Sequence, residues 1–374
     1  MIRKRPGMYI GRTGEKGLQT CVMEIIARAY QQYLRGRCHR IEVVLHRDNS
    51  ISIKDDGEID GFKRVSKYKR PLIELELSSL HWATDRLASH CHFGANGVGP
   101  ICVNALSEWM LVRGFRRNAL QEIRFCRGKL LRPLQTQRRS RRGAKRWTAL
   151  RFKPDPQIFG NVTVNFERLA RRLRQITALS PGLEIRLREQ RPGRAAKSLH
   201  YVYNNGLVEL LNEGPPAGEL IHESPLTIVA EKDGVSMELA MQYENSINCR
   251  VLSFVNLEIT KWGSIEMAAL LAGLADAINA PCQFEHEPFS ADFVRHGLNC
   301  ILSIKMPNPK YYAATKERLL NPKVYNLVRS TTCKTLKRLF AANPKLQFSI
   351  LRHLDDLAWA NQQLNEMNPG RNQP

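Results

Sequence analysis

A glycine-rich segment constrains this chain more than any other stretch of its sequence. Three glycines fall within six residues, and the segment 101–107 that follows has the pattern of a helix opening. Glycine lets the backbone approach a ligand closely, and a helix N-terminus offers unpaired N–H groups to an anion. The segment therefore indicates either a phosphate-binding loop or a glycine turn without a ligand, and its spacing matches neither a Walker loop nor a Rossmann fingerprint. The residues of this predicted loop are Gly94, Asn96, Gly97, Val98 and Gly99.

Charge is the second strong constraint. The 374 residues include 57 Lys and Arg against 35 Asp and Glu, which gives a net charge of +22. Such a field attracts polyanions, so nucleic acid is the expected partner; a solvated basic surface or docking onto an acidic protein are the alternatives. One dense basic run predicts a sequence-independent DNA contact through phosphates. Its members are Arg138, Arg139, Arg141, Arg142, Lys145 and Arg146.

Composition excludes several classes of protein. Hydrophobic residues make up 43% of a chain long enough for two domains with separate cores. The longest apolar stretch, near 267–280, contains Asp276 and is too short for a bilayer, and no apolar signal core follows Met1. We therefore expect a cytoplasmic location with no membrane partner. Nine cysteines without a CxxC pair favour reduced thiols, and His81 with His90-Cys91-His92 leaves a metal site open as the weaker alternative.

A helix and a β-hairpin are predicted between residues 18 and 54. The apolar residues of the helix recur at 3.6-residue spacing, and Glu24 and Arg28 lie beside that face. On pattern alone these two residues form an ordinary ion pair four residues apart. Strands at 41–46 and 51–54 lead into an acidic loop, Asp55-Asp56-Gly57. A basic, mobile segment is predicted over 63–70.

Together these motifs resemble one known family. The opening run 3–11, the acidic loop 55–57, the glycine loop 97–99 and the helix start 103–107 stand in the family's order. They resemble the N-terminal part of the DNA gyrase B subunit and its topoisomerase IV counterpart, whose ATPase belongs to the GHKL superfamily. Later segments, 185–188, 305–310 and 315–316, resemble the family's second domain. The resemblance covers essentially the whole chain.

The resemblance implies an α+β fold with two domains. Residues 1–198 are expected to form a GHKL-type α/β sandwich with ATP on its helical side. Residues 199–374 are expected to form a β-α-β transducer domain. The patterns place strands at 236–242 and 300–305, and helices at 203–211, 267–279, 321–341 and 348–364.

The resemblance also implies a role for each matching residue. Glu24 would be the general base that activates the water attacking the γ-phosphate. Asp55 would accept a hydrogen bond from the adenine amine, Gly57 would leave space beside it, and Thr148 would help to hold adenine. The glycine loop would wrap the phosphates, and Lys316 of the second domain would reach the γ-phosphate.

Departures from the family pattern centre on Arg28. The family holds Mg²⁺ with an asparagine at this position, whereas a guanidinium has no lone pair for a cation. Arg28 would repel Mg²⁺ or replace it as a fixed charge, and it would pair with Glu24 and lower its pKa. The expected cofactor is therefore ATP, with Mg²⁺ in doubt. Further departures stand at Ile59, Ser89, Gly263-Ser264 and Ala314.

The expected function is ATP binding and hydrolysis coupled to closure of a dimer gate in DNA topology change. The alternative is a catalytically degenerate member that acts as a DNA- or protein-binding module. No Glu-Gly-Asp or Asp-x-Asp motif follows Leu199, so DNA cleavage would need a separate Toprim or gyrase A-like subunit. A homodimer is also expected, although the family's N-terminal arm would be missing before Met1.

Overall fold

The chain divides into two compact units, Met1–Gly206 and Leu207–Pro374. In this computed structural model the described residues are 1–57, 61–79, 99–116, 118–138, 146–193, 195–214, 216–280, 288–312 and 316–367. The division comes later than the predicted boundary at Ser198. The reason is that Ser198–Tyr201 is a strand that pairs with Glu184–Glu189 and so belongs to the first unit.

A mixed sheet forms the frame of the first unit. Its strand order among the described residues is β10-β9-β1-β2-β8-β5-β6-β7. Helices α2 and α6 lie against strands β2 and β9 of this sheet. The helices are α1 Gly7–Ile10, α2 Glu15–Leu34, α3 Leu72–Ser78, α4 Gly99–Ala105, α5 Pro156–Phe159 and α6 Phe166–Ala178, after a 3₁₀ turn at Ile2–Lys4. The strands are β1 Arg40–Leu45, β2 Ile51–Asp55, β3 Arg64–Val65, β4 Arg70–Pro71, β5 Ser107–Arg116, β6 Ala119–Cys126, β7 Lys129–Arg138, β8 Trp147–Pro154, β9 Glu184–Glu189 and β10 Ser198–Tyr201.

Helix α2 and the β1–β2 hairpin form where the sequence predicts them. Leu18 and Ile25 of α2 are fully buried, as is Ile53 of β2, because the apolar stripe of the helix faces the sheet. The turn of the hairpin is fixed by Asp48, whose Oδ1 accepts hydrogen bonds from the Ser50 N–H at 3.1 Å and from its hydroxyl at 2.6 Å. This local geometry brings the acidic loop to the end of β2.

The basic segment 63–70 has regular structure, contrary to the prediction of a mobile stretch. Strands β3 and β4 pair across it, with Val65 opposite Arg70. The Arg70 guanidinium then forms an ion pair with Glu74 of α3 at 2.7 Å. The pairing explains the regular structure, since it satisfies backbone groups that an irregular loop would leave to water.

The second unit is built on a five-stranded sheet among its described residues, with the order β11-β12-β15-β13-β14. Parallel strands β13 and β15 are joined through β14 and helix α8, which is the predicted β-α-β arrangement. Its helices are α7 Leu207–Leu211, α8 Ile265–Ile278, α9 Pro322–Ala342 and α10 Pro344–Met367. Its strands are β11 Leu226–Lys232, β12 Val235–Tyr243, β13 Arg250–Val255, β14 Glu258–Thr260 and β15 Leu298–Lys305.

Two helix starts differ from the prediction. The helix predicted from residue 203 begins at Leu207, because Gly206 before it has φ of 55°, outside the right-handed helical region. Helix α10 begins four residues before the predicted 348, at Pro344, where the Asn343 side chain accepts from the Leu346 N–H. None of the helices among the described residues is long and apolar enough to cross a membrane.

Candidate functional site

Three of the predicted site residues meet at the carboxyl end of β2. Asp55 is 2% exposed, and its Oδ1 accepts a hydrogen bond from the Gly57 N–H at 3.0 Å. Thr148 of β8 is the direct cross-strand partner of Asp55 and is buried to the same extent. Directly opposed residues of antiparallel strands point to the same face of a sheet. The structure therefore brings Asp55, Gly57 and Thr148 together.

The Asp55 carboxylate is buried with few partners. Burial raises its pKa to about 6, while the Arg28 charge and the Gly57 N–H act in the opposite direction. Among the described residues, Gly57 supplies the one hydrogen bond to this side chain. A carboxylate at such a site is ionised at neutral pH and can accept a further hydrogen bond from a ligand donor.

Gly57 is needed because the chain passes very close to its neighbours. A Cβ at this position would lie 2.7 Å from the Asp55 Oδ1 and 3.1 Å from the Gln32 Cβ. Any larger residue would displace the carboxylate that defines this end of the site. The nucleotide-binding role of Gly57 stays a prediction.

A second buried carboxylate, Glu24 of α2, lies at the first residue of α4. Glu24 is 7% exposed, and a Cβ on Gly99 would approach its Oε2 to 1.8 Å, which no side chain can do. The structure thus brings Glu24 against the last glycine of the predicted phosphate loop. The other members of that loop, Gly94, Asn96, Gly97 and Val98, lie outside the described residues.

Arg28 lies one turn after Glu24, and its side chain is 13% exposed. Its described ion pair is with Glu76 of α3, Nε to Oε2 at 3.7 Å, rather than with Glu24 as predicted. The Nε is buried and has no hydrogen-bond acceptor among the described residues, and the Oε1 of Gln32 one turn further on has no donor. Two polar groups of α2 are therefore buried without hydrogen bonds on the same side as Glu24.

Lys316 lies in the second unit, between strand β15 and helix α9. Its Nζ is 3.9 Å from the Glu258 Oε1, and its backbone has φ of 56°. A positive φ is uncommon for a residue with a Cβ and is found more often at functional positions. The neighbouring Leu319 N–H donates to the Ser264 hydroxyl at 2.9 Å, which ties this loop to the start of α8.

Glu266 fixes Ser264, which makes this contact, and the sequence analysis did not identify Glu266. Its carboxylate is fully buried and accepts hydrogen bonds from Ser253 at 3.0 Å, Thr260 at 2.5 Å and Ser264 at 2.5 Å. One carboxylate thus joins β13, β14 and the N-terminus of α8. The signal was Ser264-Ile265-Glu266, a hydroxyl followed closely by an acid at a helix start.

The predicted DNA-binding run is described only at its two ends. Arg138 ends β7, and Arg146 immediately precedes β8. Arg139, Arg141, Arg142 and Lys145 lie outside the described residues.

The sheet itself carries basic residues beside tryptophans, which the sequence reasoning did not identify. The Lys54 Nζ lies 5.2 Å from the Trp147 ring centre, and the Arg151 guanidinium 5.6 Å from that of Trp109. Their strands, β2, β8 and β5, are neighbours in the sheet. Side chains along a strand alternate between the two faces of the sheet, so the sequence spacing could have predicted that these residues share one face.

The candidate metal ligands of the sequence, His81 and His90-Cys91-His92, lie outside the described residues, as do Ile59, Ser89 and Ala314. Within the described ranges, no group of three His, Cys, Asp or Glu side chains could hold a metal.

Comparisons with known sequences agree with the resemblance. The family model described as DNA gyrase B matches residues 206–366. The B subunit of the type 2 topoisomerase of Aquifex aeolicus is 32% identical over 351 residues, which cover 91% of this chain and 43% of that protein. The DNA gyrase B subunit of Thermotoga maritima is 33% identical over 365 residues, which cover 94% of this chain and 56% of that protein. The chain thus spans about half the length of these relatives.

Solved structures match both units. The 43K ATPase domain of Thermus thermophilus gyrase B, solved in complex with an aminocoumarin, matches with a TM-score of 0.82 and 27% sequence identity. The match covers 98% of this chain and 96% of that domain. The topoisomerase IV ATP-binding domain of Francisella tularensis, solved with a small-molecule inhibitor, has a TM-score of 0.75 and 25% identity, with 96% coverage of each chain. The predicted α+β fold is confirmed.

Proposed function

We propose that this chain, which corresponds to the ATPase and transducer region of the gyrase B and topoisomerase IV B subunits, binds ATP in its first unit. Binding and hydrolysis would close a dimer gate in DNA topology change. The observation that carries the proposal is the arrangement of Asp55, Gly57 and Thr148 beside the last turn of α2 and of Glu24, in the middle of the same helix, against Gly99.

The Asp55 end of the site suits adenine. The ionised carboxylate accepts the hydrogen bond that the 6-amino group of adenine donates, and guanine has a carbonyl oxygen at that position. With GTP the Asp55 carboxylate would face the guanine carbonyl oxygen and have no donor. An unsatisfied buried acceptor costs about 1–3 kcal/mol of binding free energy, and more when it is charged. The site therefore selects ATP over GTP.

The Glu24 end suits phosphates and an attacking water. Gly99 permits contact between the Glu24 carboxylate and the start of α4, so the base lies beside the predicted phosphate loop. A carboxylate in this position orients the water and accepts its proton as the water attacks the γ-phosphate. The resemblance implies that Lys316 of the second unit contacts the γ-phosphate, and this role stays a prediction.

DNA is the proposed macromolecular partner, together with a second copy of the chain and a separate cleaving subunit. The net charge of +22 and the basic residues beside tryptophans on the sheet support a phosphate-directed contact. Replacing Arg138, Arg139, Arg141 and Arg142 together by serine should flatten the salt dependence of binding to duplex DNA. An unchanged slope would remove this run from the contact.

Calorimetric titration of the purified chain with ATP tests the proposal, with GTP as the matched control. We expect saturable ATP binding and GTP binding weaker by about tenfold to a hundredfold, as the lost hydrogen bond requires. Absence of ATP binding, or equal binding of both nucleotides, would contradict the assignment of Asp55.

Phosphate release then separates an active ATPase from the degenerate alternative. Hydrolysis that is lost in Glu24→Gln while ATP still binds would identify Glu24 as the base. ATP binding without turnover in the wild-type chain would favour the alternative, in which the fold serves as a nucleotide-regulated binding module.

A further inference from the structure

We propose that Arg28 supplies the cationic contact for the nucleotide phosphates, so that this site binds ATP without a divalent cation. The inference rests on the proposed function, because it concerns the same site, and it departs from the Mg²⁺ dependence that the family resemblance implies.

The position of Arg28 follows from two contacts of α2, one at the middle of the helix and one at its last turn. Glu24 lies against Gly99, and Gln32 lies against Gly57 beside Asp55. These residues are eight positions apart, which is about 12 Å along an α-helix at 1.5 Å per residue. Arg28 lies midway between Glu24 and Gln32 on the same face, about 6 Å from each along the helix axis. A nucleotide with its base at Asp55 and its last phosphate at Glu24 would pass its inner phosphates along Arg28.

The chemistry of Arg28 suits phosphate and does not suit a metal. A guanidinium has five N–H donors and no lone pair, so it cannot ligate a cation and repels one nearby. Its planar fork matches the oxygens of a phosphate in a bidentate arrangement. The fit of Mg²⁺ at this position of α2 is therefore poor, and the residue there carries a positive charge of its own.

Arg28 has no short hydrogen-bonded ion pair among the described residues, and its charge also acts on the buried Asp55. Its contact with Glu76 is 3.7 Å long, beyond the range of a good hydrogen bond, and Glu76 is 33% exposed. The buried Nε has no acceptor among the described residues, and a buried donor without an acceptor costs free energy in the unliganded protein. A phosphate oxygen would satisfy this donor, whereas a purely structural role would leave it unsatisfied.

Calorimetric titration with ATP in EDTA and in excess MgCl₂ tests the inference. We expect dissociation constants that agree within about threefold in the two buffers. In EDTA, Arg28→Gln should weaken ATP binding by about tenfold to a hundredfold, as expected for loss of charge-assisted hydrogen bonds. Arg28→Lys, which keeps the charge and loses the fork, should lie between the two.

Two controls separate this effect from a change of fold. Arg35→Gln removes an exposed arginine at the C-cap of the same helix and should leave ATP binding unchanged. Glu76→Gln removes the present ion-pair partner of Arg28 and should leave ATP binding equal or tighter, since it frees the guanidinium. Circular dichroism melts of all variants report whether each one folds.

The outcomes are distinct. ATP binding that is more than tenfold tighter with Mg²⁺ than with EDTA would overturn the role of Arg28 and keep the proposed function. The role is equally overturned if folded Arg28→Gln and Arg28→Lys both bind ATP like the wild type in EDTA. No ATP binding in either buffer would overturn the proposed function itself.

Discussion

Two buried carboxylates, one in each unit, differ in how the protein satisfies them. Glu266 accepts three hydroxyl hydrogen bonds from side chains of β13, β14 and the start of α8. Asp55 has one backbone donor among the described residues, and burial raises its pKa to about 6. Both side chains are about equally hidden from water.

The difference separates structural from ligand-binding acids. A carboxylate whose oxygens are fully satisfied by the protein offers nothing to a ligand and instead joins the elements that donate to it. A carboxylate buried with one donor carries an uncompensated desolvation cost until a ligand donor arrives. On this basis Glu266 positions the loop of Lys316, whereas Asp55 has the environment expected of the proposed nucleotide contact. The following predictions test that division.

Removal of Glu266 should have the largest effect, and it should be on stability. Glu266→Ala leaves three buried hydroxyl groups without their acceptor, which we expect to cost about 3–5 kcal/mol in the free energy of unfolding. Urea denaturation followed by circular dichroism measures the loss. Glu317→Ala is the matched control, because Glu317 forms a more exposed ion pair with Lys261 and should cost under about 1 kcal/mol. Equal losses for the two variants would contradict the role given to Glu266.

Neutralising Asp55 should have the next largest effect, on ATP binding rather than on stability. Asp55→Asn keeps the shape of the side chain and removes the charge that we propose accepts the adenine amine, so the dissociation constant should rise about thirtyfold to a hundredfold. Asp56→Asn is the control, since the Asp56 Oδ1 accepts from the backbone N–H groups of His39 and Arg40 instead. Unimpaired binding by Asp55→Asn would show that this carboxylate does not contact the base.

The pH dependence of ATP binding should be smaller, about tenfold between pH 5 and pH 7. Asp55 has a pKa raised to about 6, so it is mostly protonated at pH 5 and mostly ionised at pH 7. ATP affinity should therefore increase with pH across this range. The folded-state pKa lies above the ordinary value of 3.8, so the folded protein binds the extra proton. The contribution of Asp55 to folding stability consequently falls as pH rises from about 4 to about 6, between the two pKa values, and is constant above about pH 7.

Paired titrations of the wild type and Asp55→Asn, with urea unfolding at each pH, check both signs. The variant reports the pH dependence that belongs to ATP itself. If the ATP affinities of the wild type and of Asp55→Asn change with pH to the same extent, a group other than Asp55 causes the pH dependence.

The sequence predicts the local elements of this protein better than it predicts their partners. Helix α2, the β1–β2 hairpin and helices α8 and α9 follow from apolar periodicity and turn residues, which are local signals. The strand at Ser198–Tyr201, which pairs with β9 only 10 to 16 residues earlier in the chain, was not predicted, and it extends the first unit to Gly206.

The candidate site shows the same limit. Asp55 and Gly57 are neighbours in sequence, but the contact of Glu24 with Gly99 joins residues far apart in the chain. The ion pair of Arg28 was assigned to Glu24 by the i,i+4 rule, whereas the structure gives it to Glu76 on another helix. Glu266 was missed because two of its three donors, on β13 and β14, reach it only through tertiary structure.

Removing the Thr148 hydroxyl should have the smallest effect on ATP binding. It tests whether Asp55 or Thr148 makes the main contact with the base. Thr148→Val keeps the volume and the β-branched shape that suit strand β8, so the fold should remain stable. Because Thr148 is opposite Asp55 on the same face of the sheet, we expect its hydroxyl to form a second hydrogen bond with a base bound at Asp55. One neutral hydrogen bond contributes about 1 kcal/mol or less, so ATP binding should weaken about threefold. Calorimetry at pH 7 measures this change, and a thirtyfold loss would mean that Thr148, rather than Asp55, is the main contact with the base.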